Sequence, residues 1–239
     1  MTLDLLAIAA HRDDVELTCA GTLIKAAKQG YKTAVVDLTA GEMGTKGDAK
    51  SRAAEAEKAA HVMRLAAREN LGLPDAAIVN DPTTRAVVAR VIRTMKPKIV
   101  IAPARQGRHP DHRVTSELVR DACFIAGLAK VAPDLPKHRP TKVIHCVSFR
   151  QDFEKPTFVV DITEEFEQKL EAIRCFETQF GVEATQAGEV YPTGEPLYDA
   201  IRHYSAYYGA MIRSRYGEPF FTTETMSVDD IVALEVSTF

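Results

Sequence analysis

Two short clusters of histidine and aspartate are the residues of this chain best suited to chemistry. Residues 11–14 are His-Arg-Asp-Asp, and residues 109–112 are His-Pro-Asp-His. Two imidazoles and one carboxylate, with a coordination position left open for water, are a common environment for a catalytic zinc ion. Such an ion lowers the pKa of water to about 7 and polarises a carbonyl group. The two clusters therefore predict a hydrolytic metal site.

The adjacent aspartates of the first cluster can divide two duties between them. Consecutive residues that leave a strand point in different directions, so one of Asp13 and Asp14 can bind the metal while the other acts as general base. Taken singly, each cluster has a structural alternative, because aspartate is a good helix cap and Pro-Asp is good turn or helix-start chemistry. The presence of two clusters after two similar strands favours the metal site.

Both clusters follow predicted buried strands, which explains why they should meet. Residues 5–10 are a short, continuous apolar run, as expected of a strand buried on both faces, and residues 98–102 (KIVIA) predict another buried strand. Apolar residues at helical spacing then predict helices over 15–27 and 112–126. This alternation predicts an α/β fold with a Rossmann-like open, mostly parallel sheet and helices on both faces. Ligands bind such sheets beyond the carboxyl ends of the strands, near the switch point, where both clusters fall.

The remaining pattern predicts further elements and a simple organisation. We expect strands over 33–38, 68–71, 142–148 and 157–160, and helices over 51–65 with Ser51 as N-cap, 83–95, 164–179 and 195–215. Residues 39–50 contain three glycines and no periodicity, so they form a long loop of the kind that is often functional. The simplest organisation is one domain over 1–239, with a core of about 1–150 and a C-terminal elaboration of about 151–239.

The composition excludes several classes of function. The net charge is -3 and the basic residues form no stripe, so nucleic acid is not an expected partner. The four cysteines include no CxxC pair, which argues against a cysteine metal site and fits reduced thiols. No apolar stretch reaches the roughly 20 residues needed to span a bilayer, and the N-terminal segment lacks the basic start of a signal peptide. We therefore expect a cytoplasmic protein with no membrane partner.

The clusters and the segments between them resemble the PIG-L/LmbE-like family of zinc N-deacetylases. That family has an (A)HPDD-type motif after its first strand and an HPDH motif near its middle, which correspond to residues 10–14 and 109–112. Residues 38–45 (LTAGEMGT) and 73–75 (LPD) resemble two further segments of the family. The similarity is greatest to the bacillithiol-pathway branch, the N-acetylglucosaminyl-malate deacetylases, in residues 14–16 (DVE), Arg108, 160–162 (VDI) and 176–180 (FETQF).

The resemblance implies roles for the residues of the two clusters. His11, Asp14 and His112 would bind one Zn²⁺ per subunit, although sites of this kind also accept iron, manganese or cobalt. Asp13 would be the general base that takes a proton from the attacking water. His109, in its protonated form, would stabilise the tetrahedral oxyanion.

Asp111 and Arg12 are adjacent to these residues, and neither is expected to bind the metal. Asp111 would orient His109 or a ligand histidine from behind, a role that carboxylates commonly have around metal sites. Arg12 stands where the family usually has proline or alanine. We expect its guanidinium to face solvent or to form a structural ion pair, which leaves the ligand set intact.

The resemblance also implies a substrate, N-acetylglucosaminyl-malate, which is a small amino-sugar glycoside. Its malate group brings two carboxylates, and arginine binds carboxylates through paired hydrogen bonds. Arg52 and Arg108 are the substrate contacts that the resemblance marks. The other candidate contacts are Glu42 and Met43 in the glycine-rich loop and Tyr198 on the last helix, for which packing onto the sheet is the alternative.

Two other functions remain open. The first is another sugar deacetylase of the same family, acting on a mycothiol precursor, chitobiose or an antibiotic sugar. The second is a non-catalytic nucleotide- or sugar-binding module. A nucleotide-binding module would carry a glycine-rich phosphate loop after the first strand, where this chain has carboxylates. Family members often form hexamers, so the resemblance further implies a homo-oligomer.

Overall fold

A seven-stranded sheet forms the centre of the computed structural model, which describes residues 2–149, 155–181, 193–234 and 236. Its strands are β1 (Leu5–Ala9), β2 (Thr33–Thr39), β3 (Ala67–Leu73), β4 (Ile99–Ala102), β5 (Lys142–Cys146), β6 (Phe158–Asp161) and β7 (Gly217–Phe221). They lie in the order β3-β2-β1-β4-β5-β7-β6. The first five strands are parallel, and β7 is antiparallel to both β5 and β6. The predicted Rossmann-like, mostly parallel sheet is confirmed.

Helices cover both faces of this sheet. They are α1 (Asp14–Thr18), α2 (Ala20–Lys28), α3 (Ala49–Val62), α4 (Pro82–Met95), α5 (Pro110–Ile125), α6 (Phe166–Arg174), α7 (Glu177–Phe180) and α8 (Gly194–Met211). Alternate residues of β1 face two different cores: Leu6 and Ile8 pack with residues of α4 and α5, while Ala7 and Ala9 pack with residues of α2 and α6. Burial on both faces explains the continuous apolar run in the sequence. Among the described helices, none is long and apolar enough to cross a membrane.

The helix expected over 15–27 is interrupted, and a distant carboxylate explains the interruption. The backbone leaves the helical region at Cys19, which separates α1 from α2. The backbone N–H groups of Gly21 and Thr22 donate to the carboxylate of Glu218 on β7, over 2.9 and 2.7 Å. Because these groups at a helix start have no partner within the helix, an anion placed there stabilises a new N-terminus.

Two other helix boundaries also differ from the prediction. Asp48, not Ser51, is the N-cap residue of α3. The prediction was wrong because Ser51 is the third residue of the helix, where it forms a capping box with Asp48. Ser51 N donates to Asp48 Oδ1 (2.7 Å), and Asp48 N donates to Ser51 Oγ (2.9 Å). The helix expected over 164–179 divides into α6 and α7 because the backbone turns at Phe176, whose side chain is fully buried.

A buried ion pair attaches the last strand to the helical layer. Lys169 on α6 donates to Glu218 on β7 over 2.6 Å, and the two side chains are 2% and 1% exposed. Lys169 also donates to the carbonyl oxygen of Leu17 (3.1 Å). The pair therefore joins β7 and α6 to the chain segment that follows the first cluster.

We expect Lys169→Met to lower the free energy of unfolding by about 3–5 kcal/mol, because the carboxylate of Glu218 would stay buried without its cation. Lys98→Met is the matched control, since Lys98 pairs with Asp4 and the two side chains are 64% and 21% exposed. An exposed pair of this kind contributes about 1 kcal/mol or less. Urea denaturation measures both losses, and equal losses would contradict the importance of burial.

Candidate metal centre and active site

The two predicted clusters meet at the carboxyl edge of the sheet. β1 and β4 are adjacent and parallel, and the chain leaves them towards opposite faces. His11 follows β1, and His109 follows β4 as the N-cap residue of α5. The ring centroids of His11, His109 and His112 lie 4.8 to 5.3 Å apart. Side chains that are 101 positions apart in the sequence are therefore neighbours at the switch point.

Three donor groups in these clusters face one another. His112 Nε2 lies 3.2 Å from His11 Nδ1 and 3.0 Å from Asp14 Oδ1. The other Asp14 oxygen lies 3.3 Å from His11 Nδ1. Ligands that bind a tetrahedral zinc ion at about 2.0–2.2 Å lie roughly 3.3–3.6 Å from one another. These three groups consequently fit a single ion with little movement.

The electrostatics around His11 also suit a cation. Burial alone would lower the pKa of His11, but the carboxylates of Asp14, Asp13 and Asp75 raise it to about 10. The surroundings of this ring therefore favour a positive charge, which a bound metal ion supplies equally well. A nitrogen and carboxylate donor set of this composition matches catalytic zinc sites.

Carboxylates behind His11 fix the orientation of its ring. His11 Nε2 lies 3.1 Å from Asp75 Oδ1 and 3.5 Å from Asp111 Oδ2. Ligand atoms of these three residues are also close enough to hold a metal ion. The carboxylates, however, already accept backbone N–H groups: Asp75 from Met43 (2.9 Å) and Asp111 from Ala76 (2.8 Å). We interpret them as acceptors for a proton on Nε2, which leaves Nδ1 for the metal.

His109 lies within reach of the same site, and its surroundings lower its pKa. Its Nδ1 accepts from the backbone N–H of Asp111 (3.3 Å), so the ring proton lies on Nε2. Burial lowers the pKa of His109, and the neighbouring His11 and His112 lower it further. These effects favour a neutral ring rather than the expected protonated one. Neutral His109 is still a hydrogen-bond donor through Nε2.

The pKa values of the adjacent aspartates Asp13 and Asp14 are shifted in opposite directions. Burial raises the pKa of Asp13, against the attraction of Arg52, whose Nη2 lies 3.5 Å from Asp13 Oδ2. Burial alone would raise the pKa of Asp14 too, but His112 and His11 hold it well below its usual value. Asp14 is thus an anionic carboxylate, and the pKa of Asp13 is shifted towards neutral pH. That difference suits one metal ligand and one general base.

The clusters open into a cavity of about 760 Å³. Of the expected substrate contacts, Arg108 lines this cavity, together with Gly44 and Thr45 of the glycine-rich loop. Sequence analysis missed several lining residues. They are Lys46, Ser148, Phe149, Gln179 and Phe180. Gln179 and Phe180 belong to the FETQF segment, which provided a signal, whereas Ser148 and Phe149 follow a strand with no chemical pattern of their own.

Other expected contacts lie away from the cavity lining. Arg52 is 5% exposed and donates to the carbonyl oxygen of Gly41 (2.8 Å). Gly41 has φ +74°, and a Cβ there would lie 2.0 Å from the Arg52 guanidinium, so glycine allows this contact. Arg52 therefore faces Asp13 and the loop backbone. Met43 is 67% exposed and Glu42 accepts from the backbone N–H of Asp75 (2.8 Å).

Tyr198 belongs to a hydrophobic core cluster. It packs with Phe166 and Leu197, and the Arg174 guanidinium lies 5.0 Å from its ring centroid. The structure thus favours the packing alternative for this residue within one subunit. Arg12 also has a structural contact, because its Nη1 donates to the carbonyl oxygen of Ala49 at the start of α3 (2.8 Å).

A buried arginine that sequence analysis missed supports the first cluster. Arg68 on β3 donates to both oxygens of Asp37 (2.8 and 3.0 Å) and to Glu16 (2.6 Å). Its Nη2 also donates to the carbonyl oxygen of Arg12. Arg68 thereby holds the backbone between the expected ligands His11 and Asp14. A charged residue within a strand was the available signal.

The chain is similar to several known proteins. The family described as PIG-L: GlcNAc-PI de-N-acetylase matches residues 6–123. The chain is 30% identical over 225 residues to the diacetylchitobiose deacetylase of Thermococcus kodakarensis, covering 89% of this chain and 80% of that protein. It is 28% identical over 207 residues to a probable N-acetyl-α-D-glucosaminyl L-malate deacetylase 2 of Bacillus anthracis, covering 79% and 87%. The crystal structure of the conserved protein TT1542 from Thermus thermophilus superimposes with a TM-score of 0.85 at 33% identity, covering 95% and 98% of the two chains.

We expect Arg68→Met to weaken Zn²⁺ binding by about 10- to 100-fold, because the loop between two ligands loses its anchor. Isothermal titration of the metal-free protein with Zn²⁺ measures this. Arg93→Met is the matched control: Arg93 is also an arginine with a buried side chain, but it donates to the carbonyl oxygens of Ala126, Leu128, Ala132 and Leu135. Similar losses of zinc affinity in both variants would indicate a general effect of instability.

Proposed function

This chain belongs to the PIG-L family of sugar N-deacetylases, and we propose that it hydrolyses the acetamide of N-acetylglucosaminyl-malate, as in bacillithiol biosynthesis. The observation that carries the proposal is the contact between His11, Asp14 and His112, with Asp13 beside them. The reaction adds water across the amide bond and releases acetate and a free amine. A cavity that contains these residues is large enough for a small glycoside.

The proposed cofactor is Zn²⁺, held by His11, Asp14 and His112. When bound, the ion polarises the amide carbonyl and lowers the pKa of water. The two imidazoles and the carboxylate support zinc, although manganese, iron and cobalt accept similar donors. Asp75 and Asp111 keep the ring of His11 oriented towards the other two ligands.

In this proposal Asp13 carries out the proton transfers. Asp13 takes a proton from the attacking water, which is favourable because burial raises the pKa of its carboxyl group. Neutral His109 donates a hydrogen bond through Nε2 to the developing oxyanion. The C–N bond then breaks, and Asp13 passes its proton to the leaving amine. One residue thus acts first as base and then as acid.

Two cationic side chains in the cavity lining support an anionic glycoside as substrate. Arg108 and Lys46 line it, and both can bind the carboxylates of malate. The related Bacillus anthracis protein, a probable N-acetyl-α-D-glucosaminyl L-malate deacetylase, supports the same choice. Chitobiose is the second candidate, because the related Thermococcus kodakarensis protein is a diacetylchitobiose deacetylase. A single domain, a homo-oligomer and a cytoplasmic location complete the proposal.

We expect Asp13→Asn to lower kcat by about 10²- to 10⁴-fold while the protein retains its zinc, because the amide cannot accept the proton. Acetate release and metal analysis by mass spectrometry measure the two properties. Asp121→Asn is the matched control, because Asp121 is 44% exposed and pairs with Arg85 on the surface. Unchanged turnover in Asp13→Asn would exclude this residue as the base.

For the substrate, we expect turnover of N-acetylglucosaminyl-malate, with Arg108→Met raising its KM about tenfold or more through the loss of a charged hydrogen bond. The KM for methyl N-acetylglucosaminide, which has no carboxylate, should change much less. Arg90→Met is the control, since Arg90 pairs with Asp134 on the exposed surface. Turnover of diacetylchitobiose without turnover of the malate glycoside would contradict the proposed substrate.

A further inference from the structure

The cavity continues from the metal donors into the apolar interior. Its lining includes Leu17 at the end of α1, Cys19 after it, Ile101 on β4 and Cys146 on β5, which we call the apolar floor. Cys19, Ile101 and Cys146 are 1%, 1% and 6% exposed. Because residues so deeply buried line the same cavity as His11 and Asp14, the space extends well below the protein surface.

The apolar floor lies next to the reacting centre. α1 begins at Asp14, so Leu17 is on the same helix, three positions from a proposed metal ligand. Residues three apart on a helix are neighbours on its surface. Ile101 belongs to the strand that precedes the second cluster, and Cys146 lies on the strand paired with it. The residues of the floor are thus adjacent to the two clusters along the chain or in the sheet.

Two polar side chains in or beside the floor, Thr18 and Cys146, already have hydrogen-bond partners. The hydroxyl of Thr18 donates to the carbonyl oxygen of Asp14 (2.7 Å), and the Cys146 thiol donates to that of Ala102 (3.4 Å). Burial raises the pKa of the Cys146 thiol to about 11 and that of Cys19 well above its usual value, so both thiols are neutral. Sugar hydroxyls and carboxylates need polar partners, and this end of the cavity supplies few.

The rest of the cavity lining includes polar side chains. They are Lys46, Arg108, Ser148 and Gln179, together with Thr45 of the glycine-rich loop. A bound amino-sugar glycoside would place its hydroxyls and charges beside these residues. The part of the substrate left for the apolar floor is the acyl group, and acetyl fills such a space with a single methyl.

We propose that the apolar floor is a pocket for the acyl chain, and that the enzyme also hydrolyses N-propionyl and N-butyryl amino-sugar glycosides. This inference rests on the proposed function. The chemistry is the same for each chain length: the oxygen of water bonds to the acyl carbon, the C–N bond breaks, and the amine leaves with a proton. The products are a short-chain carboxylate and the free amino sugar.

Wild-type enzyme tests the proposal with the acetyl, propionyl and butyryl derivatives of glucosaminyl-malate, and detection of the free amine follows all three alike. Each buried methylene favours binding by about fourfold, which offsets part of any loss from imperfect fit. We expect kcat/KM for the butyryl substrate to be at least one tenth of that for acetyl. A smaller value would overturn the acyl pocket and leave the proposed deacetylation standing. Hydrolysis of none of the three would overturn both.

Variants that fill the floor provide the second test. Cys146→Met and Leu17→Phe should each lower the butyryl-to-acetyl ratio of kcat/KM at least tenfold. Cys123→Met is the matched control, because Cys123 is a buried thiol in the other core cluster, and its variant should keep the ratio within twofold. An unchanged ratio in a folded floor variant would overturn the assignment. If neither floor variant folds, the wild-type series alone decides.

Discussion

The parallel pairing of β1 with β4 is the constraint on which the site depends. Leu5, Leu6 and Ala7 pair with Ile99, Val100 and Ile101. Since both strands run in the same direction, their carboxyl ends must lie at one edge of the sheet. The chain then turns to opposite faces, which opens a crevice between the two clusters. His11 and His112 are close because the sheet brings their strands together, although they are 101 positions apart.

Carboxylates that lie close together at one edge of the sheet repel one another, and neighbouring arginines reduce this repulsion. Arg52 lies beside Asp13, and Arg68 binds Asp37 and Glu16 beneath the first cluster. Both arginines also hold backbone carbonyls, of Gly41 and Arg12 respectively. The same contacts that balance charge therefore also hold the glycine-rich loop and the backbone between His11 and Asp14. Buried ion pairs stabilise little overall, but removal of one partner leaves an uncompensated charge.

The cavity separates two kinds of recognition. Its lining includes cations from loops, Lys46 and Arg108, which suit a charged glycoside, and an apolar floor from α1, the residue that follows it, β4 and β5. Loops tolerate change better than strands do. In such an arrangement the part that recognises the glycoside can vary independently of the metal donors, whereas the acyl pocket is tied to the core. The proposed metal donors are thus linked structurally more closely to the acyl pocket than to the residues that recognise the sugar.

The sequence by itself determined the fold class and the two clusters, because continuous apolar runs and histidine–aspartate motifs are local features. It did not determine the break at Cys19, since that depends on Glu218, nearly 200 positions further along. It also did not indicate that Arg52 faces Asp13, that Tyr198 packs in the core, or that burial and two histidine neighbours lower the pKa of His109. Residue type and spacing report what a side chain can do. Burial and the charges of distant neighbours decide what it does, and these exist only once the sheet has assembled.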